Sequence, residues 1–583
     1  MSKLPVIVGV GGINAAGRSA NFHSYKRMVA ESLTEQQMQD TWKDLALSMG
    51  LCDNNEPVTE QVIAQIIEGT LIRRIDAFDP DKLEVNTKVA DSNSDSNETL
   101  YKSMTAPMAV TSAGCIPAGT DIDKQYKSIN HPRGLKLTVF AASDLLNTLG
   151  LSWQHIINHV APDQVAVYAG AGFGQVDDYS MMGLVASPLK GRRTSSKMLP
   201  LALPQMPADF INGYILNNVG TTGANLGACA SFLYNLRQGV IDIQTGRARI
   251  AMVGSSEAPV TPPLIEGFRV MGALAEDHQL CKLDGSDKVD NRRACRPFST
   301  NAGFTIGESS QLMMLMDDEL ALALGLNILG SVPDVFINAD ANKKSISAPG
   351  VGNYVTMAKA TALAKGILGS EGLSQTYVQA HGTGTPQNRV TESHIFNEVA
   401  KTYEISSWTV TSVKAYVGHS IGPAAGDQLI ASLGVWQYGY IPGIKTIDHI
   451  ADDVEQSNLD ILMQDKYVGE KGDQIKAVFV NSKGFGGNNA TALVLSPQQT
   501  LSMLRNKHGD EVVDKYRQDN AELVELEQAR IDKREGQDPL IYQFGTDVMG
   551  PDSVQLSQDS VSLSSFNNKI NLPDGSEFND YLA

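Results

Sequence analysis

Short apolar runs recur along this chain, and each breaks off into a loop of glycine and small residues. "PVIVGVGG" (5–12), "QVAVYAGAGFG" (164–174), "ARIAMVGSSEAP" (248–259), "QTYVQAHGTGTP" (375–386), "WTVTSVKAYVGHS" (408–420) and "IKAVFVNSKGFGGNN" (475–489) are the instances. A β-branched run this short, with no polar alternation, reads as a strand buried on both faces. Between the runs lie helical spacings, such as "GLKLTVFAASDLLNTLG" (134–150) and the strand–helix passage "ESSQLMMLMDDELALALGL" (308–326). Strands alternating with helices predict an α/β fold with mostly parallel strands. The rhythm of opening strand, long middle, small-residue loop and closing strand occurs twice. It divides the chain into halves at 1–270 and 271–497, a hint of duplication without a residue-level repeat. A polar insertion spans about 20–130 and holds the loop-like "DSNSDSNET" (91–99). Residues 498–583 read as an appendage: a charged helix over 510–536, solvated on most faces, then an extended tail.

Composition removes several function classes. Hydrophobic residues make up 42% of the 583, enough for a sizeable core, while the net charge of −18 argues against a general nucleic-acid binder. Five cysteines are irregularly spaced with no CxxC pair, so neither a zinc ribbon nor a disulfide framework is expected, and no metal. No stretch of about 18 apolar residues is present and the N-terminal run is short, so neither a membrane span nor a secretion signal is expected. The default compartment is a reducing cytoplasm, where a thiol persists as a nucleophile.

Cys229 stands in "LGACAS" (226–231), after a glycine-rich stretch and before a helical one. A lone small thiol is usually a packing residue. At a helix N-terminus, however, unpaired N–H groups and the macrodipole favour a thiolate, and the same groups can hold an oxyanion. His381 in "QAHGTGTP" and His419 in "VKAYVGHSIGPAAG" each follow a predicted buried strand, where ligands gather in α/β folds. Lys414, five residues before His419, can orient a ring or supply charge. His23, His155, His159 and His508 sit in ordinary helical or polar settings.

"GACAS" (227–231), "HGTGTP" (381–386) with Glu392 eleven residues past the histidine, "SVKAYVGHSIGPAAG" (412–426) and "NSKGFGGNN" (481–489) occur in that order, with "RPFSTNAGFTIGES" (296–309) between the first two. As an ordered set they closely resemble the β-ketoacyl-acyl-carrier-protein synthases of types I and II, in the thiolase-like superfamily. The resemblance covers about 1–20 and 135–497. With the extra stretches at 20–130 and the C-terminus, the chain looks like a long variant that starts fatty-acid chains in some bacteria. It implies a thiolase-like duplicated αβαβα five-layer fold, no bound cofactor, and substrates carried on the phosphopantetheine of acyl carrier protein or CoA.

The resemblance also implies roles. Cys229 accepts the acyl group. His381 and His419 stabilise the enolate formed when the malonyl thioester loses CO₂, with Lys414 as electrostatic support. The backbone N–H groups of Cys229 and Phe485 form the oxyanion hole, and Phe485 gates the pocket. Thr383 and Thr385 bind the phosphopantetheine arm, and Glu308 is a structural carboxylate. Members of the family carry Gly-Asp where Asn388 and Arg389 stand here, so a local ion pair differs. Pro423 is an addition, the family's glutamate falls near Gln428 or Leu429, and Asp427 is the candidate partner for Lys414. Lys483 replaces an aromatic or small residue. An acidic carrier protein needs a basic landing site, for which Lys190, Arg192, Arg193 and Lys197 in "KGRRTSSK" come first and Arg292 with Arg293 second.

Rival readings fit less well. A biosynthetic thiolase needs a second cysteine in the C-terminal glycine-rich loop, whereas the last cysteine here is Cys295. A third-type starter synthase pairs Cys and His with Asn, not with a second His. A polyketide-type ketosynthase module lacks its acyltransferase and carrier domains here. A non-catalytic chain-length partner lacks the nucleophile. By analogy the enzyme is a homodimer that acts on an acyl-CoA or acyl-carrier primer.

Overall fold

The computed structural model describes residues 3–75, 109–189, 191–346, 348–532 and 538–581. The loop expected at 91–99 and Lys190 lie outside them. The buried runs form strands. β1 (Pro5–Asn14), β2 (Val165–Gly170), β3 (Thr222–Gly223), β4 (Ile250–Glu257) and β5 (Ser309–Asp317) come from the first part of the chain. β6 (Gly330–Ala339), β7 (Thr376–Gln379), β8 (Trp408–Thr411), β9 (Leu459–Ile461), β10 (Ala477–Gly484) and β11 (Asn488–Leu495) come from the second. They join one sheet in the order β9-β8-β7-β10-β11-β6-β1-β5-β4-β2-β3.

The sheet reads the same from its centre in both directions. Outward from β1 run β5, β4, β2 and β3; outward from β6 run β11, β10, β7 and β8. In each set the first two pairings are antiparallel and the next two parallel. The sets meet where β1 pairs antiparallel with β6, Val6 opposite Ser331 and Ile7 opposite Gly330. The sheet is therefore mixed, which corrects the expectation of mostly parallel strands. The turn between β10 and β11 shows one cause: strands joined by so short a connection must run antiparallel. β6 was not legible as a strand, since Pro333 and Asp334 interrupt its apolar run.

Side chains alternate along the strands and feed two cores. Val6 and Val8 of β1 face the core under α3 (Arg133–Leu146), while Ile7 and Val10 face the larger core that holds α4 (Ser231–Gln244) and α7 (Ala424–Tyr438). α7 is buried on nearly every face, as an all-round apolar helix must be. Its Gly426 lets α4 approach closely: a Cβ there would stand 2.7 Å from the Phe232 ring. α5 (Gly352–Gly372) and α6 (Pro386–Thr402) cover the second half of the sheet. α4 and α7 thus lie against both halves of the continuous sheet, with further helices outside each half, the thiolase-like arrangement.

Two segments depart from the sequence reading. The presumed insertion opens with the helix His23–Met28, in which every residue is buried, charged Lys26 and Arg27 included. It then carries α1 (Glu35–Ser48) and α2 (Glu60–Gly69), and Asp44 of α1 joins Asp144 of α3 in clamping the buried guanidinium of Arg18. The C-terminal helix α9 (Asp510–Asp532), which follows α8 (Pro497–His508), is solvated on most faces as expected, but a narrow stripe docks it on the body. Val513 and Tyr516 are buried, Tyr516 Oη donates to Leu326 O at 3.1 Å, and Lys507 reaches Asp318 at 2.6 Å. Within the supposed extended tail, residues 554–571 form a three-stranded antiparallel sheet. Among the described residues no helix is long and apolar enough to cross a membrane.

Candidate active site

Cys229 sits in a single turn, Ala228–Ala230, that turns directly into α4. Ala228 has φ +50°, a left-handed conformation that a non-glycine residue rarely adopts and that costs roughly 1 kcal/mol. That kink sets the cysteine at the head of the helix. The β10–β11 turn packs on top of it. Ser482 Oγ donates to Cys229 O at 2.9 Å, and a Cβ on Gly484 would lie 2.1 Å from Gly227 O. Only glycine lets the two backbones come this close. The backbone N–H groups of Cys229 and Phe485 both bear on the sulfur.

The helix terminus favours an anion at the sulfur, but it does not set the balance. Burial is the largest influence and pushes the Cys229 thiol up to about 12. Lys414 and the two N–H groups pull the other way and lose. At neutral pH the sulfur is a thiol that must lose its proton as it reacts.

His381 follows β7 and His419 follows the short helix Lys414–Val417. Their rings meet edge to face, centroids 5.3 Å apart at 90°. Phe304 packs against the His419 ring at 5.3 Å, and the backbone N–H of His419 donates to Thr305 O at 2.7 Å. Burial, followed by the Lys414 charge, holds both imidazoles well below the usual histidine range, so both are neutral at pH 7. Lys414 is itself buried, and its ammonium has no hydrogen-bond partner among the described residues. Burial pulls it down to about 8.

One pocket brings the set together. Cys229, His381, His419, Phe485, Thr383 and Thr385 line it, and it encloses about 760 Å³ including its mouth. The two threonine hydroxyls are 3.2 Å apart. Lys483 lines the same pocket, 3.4 Å from Asn388 Oδ1. Phe268, Phe304 and Ile421 close the apolar end around the sulfur. Glu308 stands apart, bound by Arg133 through two contacts of 2.6 Å. Arg192, Arg193 and Lys197 are exposed. Arg292 is not a free landing site, because its guanidinium donates to the carbonyl oxygens of Thr70, Ile72 and Glu68.

Two carboxylates went unassigned in the sequence. Glu392 accepts from His381 N–H at 2.6 Å, Gly382 N–H at 2.8 Å, Asn388 and Asn481. It is also the leading charge that supports Lys414. Asp427, the sequence candidate for that role, accepts from Asn14, Ser309, Gln311 and Ser420 instead, and it bears on Lys414 less than Glu392 does. Its acceptor sites are filled by neutral donors. The local ion pair that differs is Arg389 with Asp453, at 2.8 Å. Gln428, where the family's glutamate falls, donates to the carbonyls of Gln379 and Asn481, tying β7 to β10. The spacing of Glu392 from His381 was a signal available in the sequence. Glu257 gave none.

Glu257 accepts from Gly172 N–H at 2.7 Å and Phe173 N–H at 3.0 Å, deep beside Cys229. Burial outweighs these bonds and raises it from 4.5 to about 7. A carboxyl raised in the fold contributes stability below its unfolded pKa and loses it as pH rises through the folded one. The wild type is therefore expected to lose up to about 3 kcal/mol, relative to Glu257→Gln, between roughly pH 5 and pH 8. Thermal unfolding of both proteins across that range measures this. Parallel Tm profiles would show that the carboxyl is not held protonated.

Residues 59–321 match the β-ketoacyl synthase N-terminal domain, and residues 329–448 match the β-ketoacyl synthase C-terminal domain. The chain belongs to the β-ketoacyl synthase family. As a family member it is a condensing enzyme of the acyltransferase class. The synthase is 43% identical, over the whole of both chains, to β-ketoacyl-[acyl-carrier-protein] synthase FabY of Pseudomonas aeruginosa. The crystal structure of that noncanonical ketosynthase superposes with TM-score 0.93 at 41% identity, covering 100% of this chain and 99% of that one. A 3-oxoacyl-[acyl-carrier-protein] synthase 2 of Staphylococcus aureus is 28% identical over 57% of this chain and 77% of its own. A β-ketoacyl synthase from Burkholderia phymatum shares the fold at TM-score 0.60 and 18% identity, covering 85% of this synthase and 99% of that chain. Among the described residues no group of three or more His, Cys, Asp or Glu could hold a metal ion.

Proposed function

We propose that this synthase performs the decarboxylative Claisen condensation of fatty-acid synthesis, joining an acyl primer on Cys229 to malonyl-acyl carrier protein. The observation that carries this is the meeting of Cys229, His381 and His419 in one buried pocket. A primer thioester enters, Cys229 attacks its carbonyl, and the oxyanion takes N–H donors from Cys229 and Phe485. The free carrier or CoA thiol leaves. Malonyl thioester then docks with its arm along Thr383 and Thr385. As CO₂ departs, negative charge grows on the thioester oxygen, and two neutral imidazole N–H groups in a dry pocket meet it without reorganisation. The enolate carbon attacks the Cys229 thioester, forming the C–C bond as the C–S bond breaks; ketoacyl carrier protein is released, and the expelled thiolate takes a proton from water to restore the thiol. No metal or cofactor takes part.

The aromatic wall around the sulfur favours a short primer, in line with chain initiation from acetyl-CoA. In this reading the halves meet between Asp317 and Gly330, a junction that the repeated strand pattern supports over one at 270, with 498–583 a structural appendage. The enzyme acts as a homodimer in the cytoplasm. Incubating purified protein with malonyl-carrier and a panel of CoA and carrier primers, read by mass spectrometry, tests the reading. A ketoacyl product from acetyl-CoA supports it; failure with every primer while the fold is intact defeats it in favour of a non-catalytic partner subunit.

Arg192, Arg193 and Lys197 supply the exposed positive charge for an acidic carrier. Reversing Arg192 and Arg193 to Glu is expected to raise KM for the carrier substrate about tenfold or more, leaving acylation of Cys229 by acetyl-CoA unchanged. Equal loss in both assays would refute this landing site.

A further inference from the structure

A second cavity is walled in part by Ala415 and Tyr416 of the short helix Lys414–Val417. It measures about 680 Å³ including its open mouth and shares no lining residue with the Cys229 pocket. Arg27, Glu31, Arg292, Arg293, Tyr416 and Lys445 are among its walls. Arg27 is the anomaly, because only 8% of its surface is exposed. Its Nε donates to Thr70 Oγ1 at 2.9 Å, and its guanidinium carbon stands 5.8 Å from the Trp42 ring centroid. Among the described residues no carboxylate pairs with it, and neither terminal amino group has a protein partner. Buried charges in proteins are paired or bind something.

The neighbours deepen the deficit. Arg292 is held by main-chain carbonyls, so its charge too lacks a carboxylate. Arg293 reaches Asp448 at 2.8 Å, and Lys445 reaches Asp465 at 2.7 Å and Glu31 at 3.1 Å. Those two are neutralised, whereas Arg27 and Arg292 are not. Burial and then the Arg292 charge pull Arg27 down to about 10, while Glu31 and Tyr416 compensate only in part. An ion pair would raise it.

We propose that this cavity binds a phosphate-bearing small molecule, its phosphate held by the free amino groups of Arg27 in the field of Arg292. Two uncompensated guanidinium groups match a tetrahedral dianion better than a singly charged carboxylate, and guanidinium N–H groups grip phosphate oxygens in pairs. The cavity has room for more than the ion. Tyr416 lies two residues from Lys414, on the same turn of helix, so an occupant touches the segment that carries Lys414.

Isothermal titration of the full chain with inorganic phosphate and with pyrophosphate, at ionic strength matched by chloride, tests the site. Saturable binding of at least one of them is expected, weakened about tenfold or more in Arg27→Gln and severalfold in Arg293→Gln. The second variant, at a half-exposed rim position, guards against loss of fold, which circular dichroism reports. Competition by coenzyme A but not dephospho-coenzyme A assigns the phosphate to the substrate, and competition by neither assigns it to a separate phosphate ester. No saturable binding, binding unchanged in both variants, or malonate binding as tightly as phosphate overturns the proposal.

Discussion

Cys229→Ala is expected to stop ketoacyl formation while malonyl decarboxylation continues. The two half-reactions use different groups. Acyl transfer needs the sulfur, and nothing else in the pocket can form the thioester, so condensation should fall by about 10⁴-fold or more. Decarboxylation needs only the imidazole pair and the pantetheine contacts, which the substitution leaves in place. The Cys229 side chain lies 5% exposed in an apolar cluster, so alanine there removes one small group without stranding a charge. Release of CO₂ from malonyl-carrier, measured beside product by mass spectrometry, separates the two. If decarboxylation collapses together with condensation while the fold is intact, the division of labour drawn here is wrong. A companion expectation follows from the buried thiol. Alkylation of the free enzyme by iodoacetamide should keep accelerating through pH 9, where an ordinary cysteine begins to level off, because burial pushes this thiol up to about 12.

The sheet was legible because its strands are buried on both faces, and such runs announce themselves as apolar blocks ended by glycine. Cys229, His381 and His419 were legible as candidates because their small-residue loops come after those blocks, although the short helix Lys414–Val417 intervenes before His419. Pairing direction was not, since a strand buried on both faces looks the same whether its neighbour runs with it or against it. Charged residues hid two packed surfaces. Lys26 and Arg27 fall in the stretch read as a polar insertion, yet they are buried in the helix that packs on α7. α9 reads as solvated on most faces and is, but the stripe of Val513, Tyr516 and a few others that anchors it is too sparse to register against so many charges. The state of the sulfur could not be read either. A helix terminus favours the thiolate locally, but the aromatic wall that outweighs it comes from Phe268, Phe304 and Phe485, far away in sequence. Glu392 shows the converse, a residue whose spacing was noticed and whose work became plain only when four donors closed around it.

His381→Ala and His419→Ala should each lower the decarboxylation rate by about 10²–10³-fold, the cost of removing one preorganised donor from a developing oxyanion (roughly 2.7–4 kcal/mol). Lys414→Met probes the same pair without touching it. Burial holds both imidazoles down first and the lysine charge second, so its removal lets their pKa values rise part of the way toward the ordinary range. A protonated imidazole on both nitrogens no longer matches the neutral pair that the resting site presents. The acid limb of the decarboxylation profile should therefore move to higher pH in Lys414→Met. Stability should move the other way. A lysine lowered from 10.5 to about 8 is penalised in the fold whenever it is charged, so the wild type gains stability only as pH climbs through that interval. At pH 7 the apolar replacement should then be up to about 3 kcal/mol more stable, with a raised Tm. A less active, acid-sensitive and more heat-resistant variant is what a functional buried cation requires. If Lys414→Met instead melts earlier and keeps the wild-type pH profile, the ammonium is a structural strut and the electrostatic role assigned to it fails.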